Sequence, residues 1–524
     1  MDQTSRGRSV GATSWRGRAC AAATMMTLMT IAGCGGGRSG ATTPVAAGGT
    51  TLPALLATVP DDAGVVLHVP PGLVELFASV DGAFATDELR GSLREMKAEG
   101  GIARVLAAVG EEATAEGGKG AAAVGWRRGE SEVVMWGRGS MGVLRVRLDG
   151  VALAASLARA ERASGTPLPR KTWQGRPYYD LHRSDDARPT WLLGRVTDHE
   201  LTLMWTRAVD RDLPVLMDDG VPARPFDGAR VEATSFPGRG AEAHFGMMFD
   251  PRWVADLMAE YGDERGDERP CADAVLGLSS GLPRIHWAWA RSAAATEVTM
   301  TVALDRATAA RLARDVGPIP RWSPDDRQVA FGIGLPLATA IEVMLPWAER
   351  IDRIGPACGR PAGVAAPLRM VASMGPVAAI RAASMSIDPR TERGVMVVRP
   401  DDLARFWASL RQFGPLRPLP PMIGEHLSLP GMVITSDGES LLIGVGSPAD
   451  EVALDRAATL PPGPRTLALM TIGEDAVATF AAEESDSDEE RAQSRQFMEW
   501  VSAMDIEVGV RGDHLIVRTT FRHR

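Results

Sequence analysis

The chain has 524 residues, of which 45% are hydrophobic, and a formal net charge of −9. This length exceeds the size at which one hydrophobic core stops growing, so two or three packed units are expected. The hydrophobic content supports a globular fold, and the acidic balance argues against a nucleic-acid partner.

The segment at 1–33 has the pattern of an export signal. Arg6, Arg8, Arg16 and Arg18 precede a run at 19–32 that is rich in Ala, Met, Leu and Thr. The apolar run is too short to span the roughly 30 Å of hydrocarbon in a bilayer. We therefore predict that this segment is removed on export rather than retained.

Residues Ile31, Ala32, Gly33 and Cys34 follow at the end of the apolar run. They resemble the lipobox of bacterial lipoproteins, in which the peptidase cuts before the cysteine and the cysteine thiol carries a diacylglycerol. The resemblance implies that Cys34 is lipidated and that a membrane is a partner. Because Gly35 rather than Asp follows, it also implies the outer membrane. An incidental cysteine in a plain secretory signal is the alternative.

Residues 34–52 are rich in Gly, Ser, Thr and Pro and have no apolar periodicity. This composition predicts a flexible tether between the anchor and a globular body. Polar and proline-rich joints divide the rest of the chain. The expected organisation is a signal at 1–33, a tether at 34–52, an N-terminal α+β module at 53–222, a middle α+β module at 223–326 and C-terminal α+β modules at 327–524.

Four segments of the body place the alternation of a β-strand ahead of helical spacing. They begin near Pro60, Ala241, Pro324 and Arg465. In the third segment Leu337, Ile341, Met344 and Leu345 fall on one face of a helix, and we expect this face to cover a sheet.

Three further segments place Asp149, Asp305 or Asp401 between a strand and a helix. A carboxylate at this point can accept hydrogen bonds from the free N–H groups of the first helical turn, so these residues are interpreted as caps rather than catalytic acids. Each of the strands before these aspartates comes directly after another strand in the sequence, which predicts β-hairpins. The predicted fold class is α+β, with repeated strand-helix and hairpin-helix modules and largely antiparallel sheets covered by helices.

Cys271 and Cys358 remain in the body once Cys20 leaves with the signal and Cys34 is acylated. In an oxidising compartment they can form one disulfide, although two unrelated buried thiols are the alternative. No C-x-x-C pair is present, which argues against redox catalysis.

Two glycine motifs match patterns known from enzymes. Gly277–Gly281 matches G-x-S-x-G around Ser279, but a strand rather than a helix is expected next, so a turn is favoured over a nucleophile. Gly137–Gly142 matches G-x-G-x-x-G, but a strand also follows here, which predicts a hairpin turn rather than a dinucleotide site.

The eight histidines lack the paired spacing of a metal site, so no metal or cofactor is expected. His68, His244 and His286 lie in strand patterns and could converge, although a hydrogen-bonded structural role is favoured. The acidic run at 483–490 lacks the glycine of an EF-hand loop, and Ser487 with the glutamate three residues later predicts a helix-opening capping box.

These observations predict a lipid-anchored envelope protein without catalytic activity, which binds a partner or acts as a scaffold. An envelope protein is the expected protein partner. An envelope carrier of solute or lipid, with a pocket between its modules, is one alternative. An envelope hydrolase using Ser279 is the other.

Overall fold

A computed structural model describes the chain over residues 55–69, 93–98, 101–113, 119–127, 129–184, 189–218, 222, 224–226, 243–253, 271, 274, 277, 283–291, 294–322, 328–358, 363–375, 379–412, 420, 427–429, 431–446, 457, 459–477 and 501–523. The chain divides into two compact units. Unit 1 holds residues 1–230 and 243–247, and unit 2 holds residues 231–242 and 248–524. The finer division into modules stays a prediction.

Unit 1 is built on an array of antiparallel strands. Its elements are a 3₁₀ turn η1 (Leu55–Thr58), β1 (Val65–Val69), α1 (Gly101–Ala113), α2 (Lys119–Ala123), β2 (Val133–Arg138), β3 (Met141–Arg147), α3 (Gly150–Ser164), β4 (Arg170–Trp173), β5 (Arg176–Arg183), β6 (Trp191–Val196), β7 (Glu200–Thr206), α4 (Val209–Met217) and β8 (Ala243–Phe249), whose last two residues fall in unit 2. Hydrogen bonding gives the strand order β1-β2-β3-β7-β6-β5-β4.

The core of unit 1 lies between this sheet and its helices. Val105 of α1 and Leu153 of α3 are buried in one cluster with Leu144 of β3 and Leu203 of β7. Leu144 and Leu203 are directly opposite in register, so they present one apolar face to the helices. Full burial of each such side chain contributes about 1.5–3 kcal/mol.

Unit 2 has a longer antiparallel array. Its elements are β9 (Ile285–Arg291), β10 (Ala295–Ala303), α5 (Arg306–Asp315), β11 (Val329–Ile333), α6 (Leu337–Ile354), a second 3₁₀ turn η2 (Gly355–Cys358), α7 (Ala365–Ser373), β12 (Ile380–Asp388), β13 (Arg393–Pro400), α8 (Leu403–Leu410), β14 (Leu427–Leu429), β15 (Met432–Ser436), β16 (Leu441–Val445), β17 (Ala468–Ile472), β18 (Val501–Arg511) and β19 (His514–His523). The strand order is β9-β10-β19-β18-β17-β11-β12-β13-β16-β15-β14.

The predicted fold class, α+β with repeated strand-helix and hairpin-helix modules and largely antiparallel sheets covered by helices, is wrong. The described strands belong to one 19-stranded sheet, and every pairing with a defined register is antiparallel, so the protein is sheet-rich. The physical reason lies at the strand edges, because an outer strand leaves a row of unpaired N–H and C=O groups. Those of β10 pair with the distant β19, and those of β11 pair with β17, instead of closing a small sheet.

Three helices each begin at an aspartate that follows a strand. Asp149 and Asp305 cap α3 and α5 as expected, through backbone N–H groups of the first turn. The cap of α8 is Asp402 rather than the predicted Asp401, and its carboxylate accepts at 2.9 Å from the first turn. Asp401 instead donates its N–H to the carbonyl of Ala379 at 2.9 Å, because strand pairing continues to that residue.

Each capped helix begins a connection that returns, after further strands, to an antiparallel neighbour of the strand before the helix. The pairs joined in this way are β3 with β7, β10 with β19, and β13 with β16. The connection also contains β4 to β6 in the first pair, β11 to β18 in the second and β14 to β15 in the third. The shared connection is the structural basis of the repeated sequence pattern.

Candidate interaction site

Several residues singled out from the sequence lie outside the described part of the chain. These are Cys34 with the whole signal and tether, Ser279, and the acidic run 483–490. Gly137–Gly142 is described, and it forms the turn of the β2–β3 hairpin with Gly137 opposite Gly142. Gly139 has a φ of 54°, which suits glycine in a two-residue hairpin turn. The predicted hairpin turn is therefore confirmed.

The buried carboxylate of Glu132 holds residues from η1 and β1 by hydrogen bonds. Glu132 has a side chain only 4% exposed and accepts hydrogen bonds from the Leu55 N–H at 3.2 Å and from His68 Nε2 at 2.9 Å. Arg147 Nη1 lies 3.2 Å from the same carboxylate. Burial raises the pKa of Glu132, but these donors outweigh burial and leave the pKa below its ordinary value. This arrangement is structural, since it satisfies a buried charge.

The other two histidines of the strand patterns do not form a described metal site. The side chain of His244 lies outside the described residues. His286 on β9 lies opposite Thr301 on β10, and burial, helped by the charges of Arg284 and His514, lowers its pKa to about 4. In the described ranges, no group of three or more His, Cys, Asp or Glu residues is placed to hold a metal ion.

A helical pair in unit 2 is fastened at three points. The Asp352 carboxylate on α6 accepts from the backbone N–H groups of residues 363, 364 and 365 at 2.8, 2.7 and 2.9 Å, which caps the start of α7. Arg369 of α7 pairs with Glu349 of α6 at 2.7 Å. A disulfide joins Cys358, at the end of η2, to Cys271. We call α6, η2 and α7 the α6–α7 hairpin.

The α6–α7 hairpin exposes large apolar side chains. Met344 and Ile351 on α6 are 55% and 46% exposed, and Val364 and Met370 at α7 are 51% and 55% exposed. The expectation that Met344 helps to cover the sheet is wrong, whereas Ile341 is buried as expected. The apolar face of α6 is wider than the surface packed against it, because Met344 lies roughly 60° around the helix from Ile341.

A partly buried tryptophan continues the apolar row of α6. Met344, Trp347 and Ile351 have the spacing i, i+3, i+7, so they form one row along the helix. We call these three residues the apolar stripe. The guanidinium of Arg350 lies 5.0 Å from the centre of the Trp347 ring, which is a cation–π contact.

The charges of the hairpin are unevenly compensated. Glu342 pairs with Arg311 of α5, Glu349 pairs with Arg369, and Asp352 is used by the α7 cap. Within the described part of the chain, Arg350 and Arg353 form no ion pair with a carboxylate; the Arg353 Nε donates to a backbone carbonyl at 3.3 Å. Of the two, only Arg350 flanks the apolar stripe, because Arg353 lies about 180° around the helix from Met344.

Comparisons with known proteins give little further information. No family model and no curated protein matches the chain. Among solved structures, crystal form I of TP0453 matches at 11% sequence identity and a TM-score of 0.23, over 48% of this chain and 78% of that one. Over the described residues, no helix has both the length and the apolar character needed to cross a membrane.

Sequence reasoning missed the α6–α7 hairpin as a site. The periodicity that begins at Leu337 predicts only a face of α6 that packs in the core. The usable signal was that apolar residues continue to Trp347 and Ile351, about two further turns along the helix from Met344, with Arg350 among them. An apolar arc of that width is more than one sheet contact requires.

Proposed function

We propose that the protein is a lipid-anchored component of a bacterial cell envelope, held at the outer membrane through Cys34. Its body acts as a non-catalytic binding or scaffold domain. The lipobox-like residues Ile31–Cys34 and the tether that follows them support the anchor. The large antiparallel sheet supports a scaffold role, because extended strand pairing gives a rigid support for surface elements.

The single observation that carries this proposal is the order of Ile31–Cys34 and the Gly-, Ser-, Thr- and Pro-rich segment that follows. Leu55, three residues beyond the tether at 34–52, donates its N–H to the buried carboxylate of Glu132, which attaches this part of the chain to the fold. The linker at 35–54 has a root-mean-square span of about 25 Å when it behaves as a flexible coil. The globular body would thus stay within a few nanometres of the bilayer.

The test is lipidation and membrane attachment of the Cys34→Ser variant, with Cys20→Ser as the matched control. In the parent protein and the Cys20→Ser variant, mass spectrometry is expected to find a diacylglyceryl group on an N-terminal Cys34, and fractionation to find the protein in outer membranes. The Cys34→Ser variant should lack the diacylglyceryl group and leave the outer-membrane fraction. An unmodified Cys34 thiol in the exported parent protein would refute the proposal.

A further inference from the structure

We propose that one face of strands β9 and β10 binds a small neutral hydroxylic ligand, which is either ordered water or a small polyol. The site is formed by His286 of β9 and by Thr299 and Thr301 of β10. It lies within unit 2, is separate from the α6–α7 hairpin and does not depend on the lipid anchor.

The three side chains lie side by side on one face of the sheet. Thr301 is directly opposite His286. Directly opposite residues of antiparallel strands share a face, and their Cβ atoms are about 4.5–5.5 Å apart. Thr299 is two residues from Thr301 on β10, so its side chain points to the same face. One small molecule can therefore reach all three groups.

The polar atoms of these side chains are buried without a partner. Thr299 and Thr301 are 0% and 1% exposed. In the part of the chain that the structure describes, the two Oγ1 atoms and the Nδ1 atom of His286 are shielded from solvent and form no hydrogen bond. Buried polar groups in proteins nearly always have a protein or water partner. Three neighbouring exceptions therefore indicate a ligand that supplies the partner.

Another threonine on the same face shows a buried hydroxyl with a protein partner. Thr471 of β17 is directly opposite Asp505 of β18, and its Oγ1 donates to that carboxylate at 2.8 Å. Asp505 is opposite Thr520 of β19, which is opposite Glu297 of β10. Glu297 is two residues from Thr299, so all these side chains share one face. Thr471 is therefore a suitable comparison for the unpartnered threonines.

The charged groups beside the threonines favour a neutral ligand. Arg518 of β19 is directly opposite Thr299. Its guanidinium lies 3.4 Å from the Glu507 carboxylate and 4.0 Å from that of Glu297. An anion would meet the two carboxylates, and a cation would meet the guanidinium.

The three groups can each donate or accept a hydrogen bond. Burial lowers the pKa of His286 to about 4, so its imidazole is neutral near pH 7 and Nδ1 can take either part. A threonine hydroxyl can also do both. A hydroxyl group or a water has the same double character, so it matches this set.

The spacing of the three groups sets the size of the ligand. The residues of β9 that follow His286 on this face are Ala288 and Ala290, which are buried and short. An ordered buried water typically makes about three hydrogen bonds in a polar site of about its own volume. The two threonines and the histidine can supply that number. The site therefore suits one or a few waters, or a polyol of comparable size such as glycerol.

The test counts long-lived internal waters in the purified full chain by magnetic relaxation dispersion of the water signal. The double variant combines Thr299→Val with Thr301→Val, which removes both hydroxyls and nearly keeps the shape of the side chains. Its matched control is Thr471→Val, which removes a hydroxyl that has a protein partner on the same face. Urea unfolding is measured on the same proteins, with and without glycerol.

We expect the double variant to lose at least one long-lived water per chain and the control to lose none. The urea midpoint of the double variant should fall, because bound partners are lost. With no ligand, a valine in place of an unpartnered hydroxyl would leave the midpoint unchanged or raise it. If a polyol is the ligand, glycerol should displace water from the parent chain and raise its midpoint more than that of the double variant.

The same count of long-lived waters in the parent chain and the double variant, together with an equal effect of glycerol on both, would overturn the proposal. A midpoint that is unchanged or higher in the double variant is the expected companion of that result. The single variants Thr299→Val and Thr301→Val are measured in the same way, so the outcome does not depend on the folding of the double variant.

Discussion

Replacing Glu132 with Gln is expected to destabilise unit 1 by about 2 kcal/mol, the cost of weakening several hydrogen bonds to one buried charge. The carboxylate is 4% exposed, pairs with Arg147, which is 23% exposed, and accepts a hydrogen bond from His68, which is 13% exposed. A glutamine of the same shape keeps one acceptor but loses the charge, and it leaves buried donors short of a partner. Hydrogen bonds to charged groups contribute about 1.5–3 kcal/mol each, part of which the glutamine oxygen retains.

The assay is urea unfolding of both proteins, followed by circular dichroism, with Glu130→Gln as the control. Glu130 is 69% exposed, and its pair with Arg127 is 3.7 Å long, so its replacement should change stability by less than about 0.5 kcal/mol. Hydrogen exchange at the Leu55 N–H should accelerate in Glu132→Gln only. If Glu132→Gln and Glu130→Gln unfold at the same urea concentration, the proposed role of the buried carboxylate is wrong.

The same variant gives a pH test. Because the pKa of Glu132 is lower in the fold than its ordinary value of 4.5, its charge stabilises the fold above about pH 4.5. That contribution is lost as the pH falls through the folded-state pKa. The stability difference between the parent protein and Glu132→Gln should therefore be constant near neutral pH and shrink in acid.

Two further predictions concern unit 2. Replacing both Cys271 and Cys358 with Ser removes a cross-link over 87 residues, which in the chain-entropy model lowers the free energy of unfolding by about 4–5 kcal/mol. The variant should unfold at the same urea concentration as the reduced parent protein. A midpoint equal to that of the oxidised parent would contradict the cross-link. Because burial lowers the pKa of His286 from 6.5 to about 4, the free energy of unfolding of the parent protein should fall by up to about 3 kcal/mol as the pH falls across that interval. His286→Gln should lack this loss of stability, while the control His199→Gln, at an exposed histidine, should behave like the parent. An unchanged pH dependence in His286→Gln would count against the buried neutral imidazole.

Local features of the fold could be predicted from sequence because they depend on near neighbours. Asp149 and Asp305 cap helices since a carboxylate at a strand end has few other local partners. At Asp401-Asp402 both residues suit a cap, and the choice depends on how far β13 continues its pairing. That length is set by a different segment of the chain, so the sequence pattern alone placed the cap one residue early.

Long-range features could not be predicted in this way. Strand alternation at β10 does not reveal that β19 is its neighbour, because any strand with a matching apolar face would satisfy the same pattern. Helical periodicity likewise identified the face of α6 but not how much of it would be covered, so Met344 was assigned to the core. The candidate site is the part of the apolar arc of α6 that stays exposed, which includes Met344 and Ile351.

The pairing of β10 with β19 has a consequence for how the protein reaches its native state. Ala303 lies opposite His514, so this ladder joins the early part of unit 2 to the far end of the chain. Contacts this distant in sequence form slowly, because the chain loses much entropy before they stabilise it. During synthesis unit 2 must wait for its last strands before this ladder can close. Under the export proposed above, such a delay would keep the polypeptide open while it crosses the membrane, with closure of the ladder left to the far side.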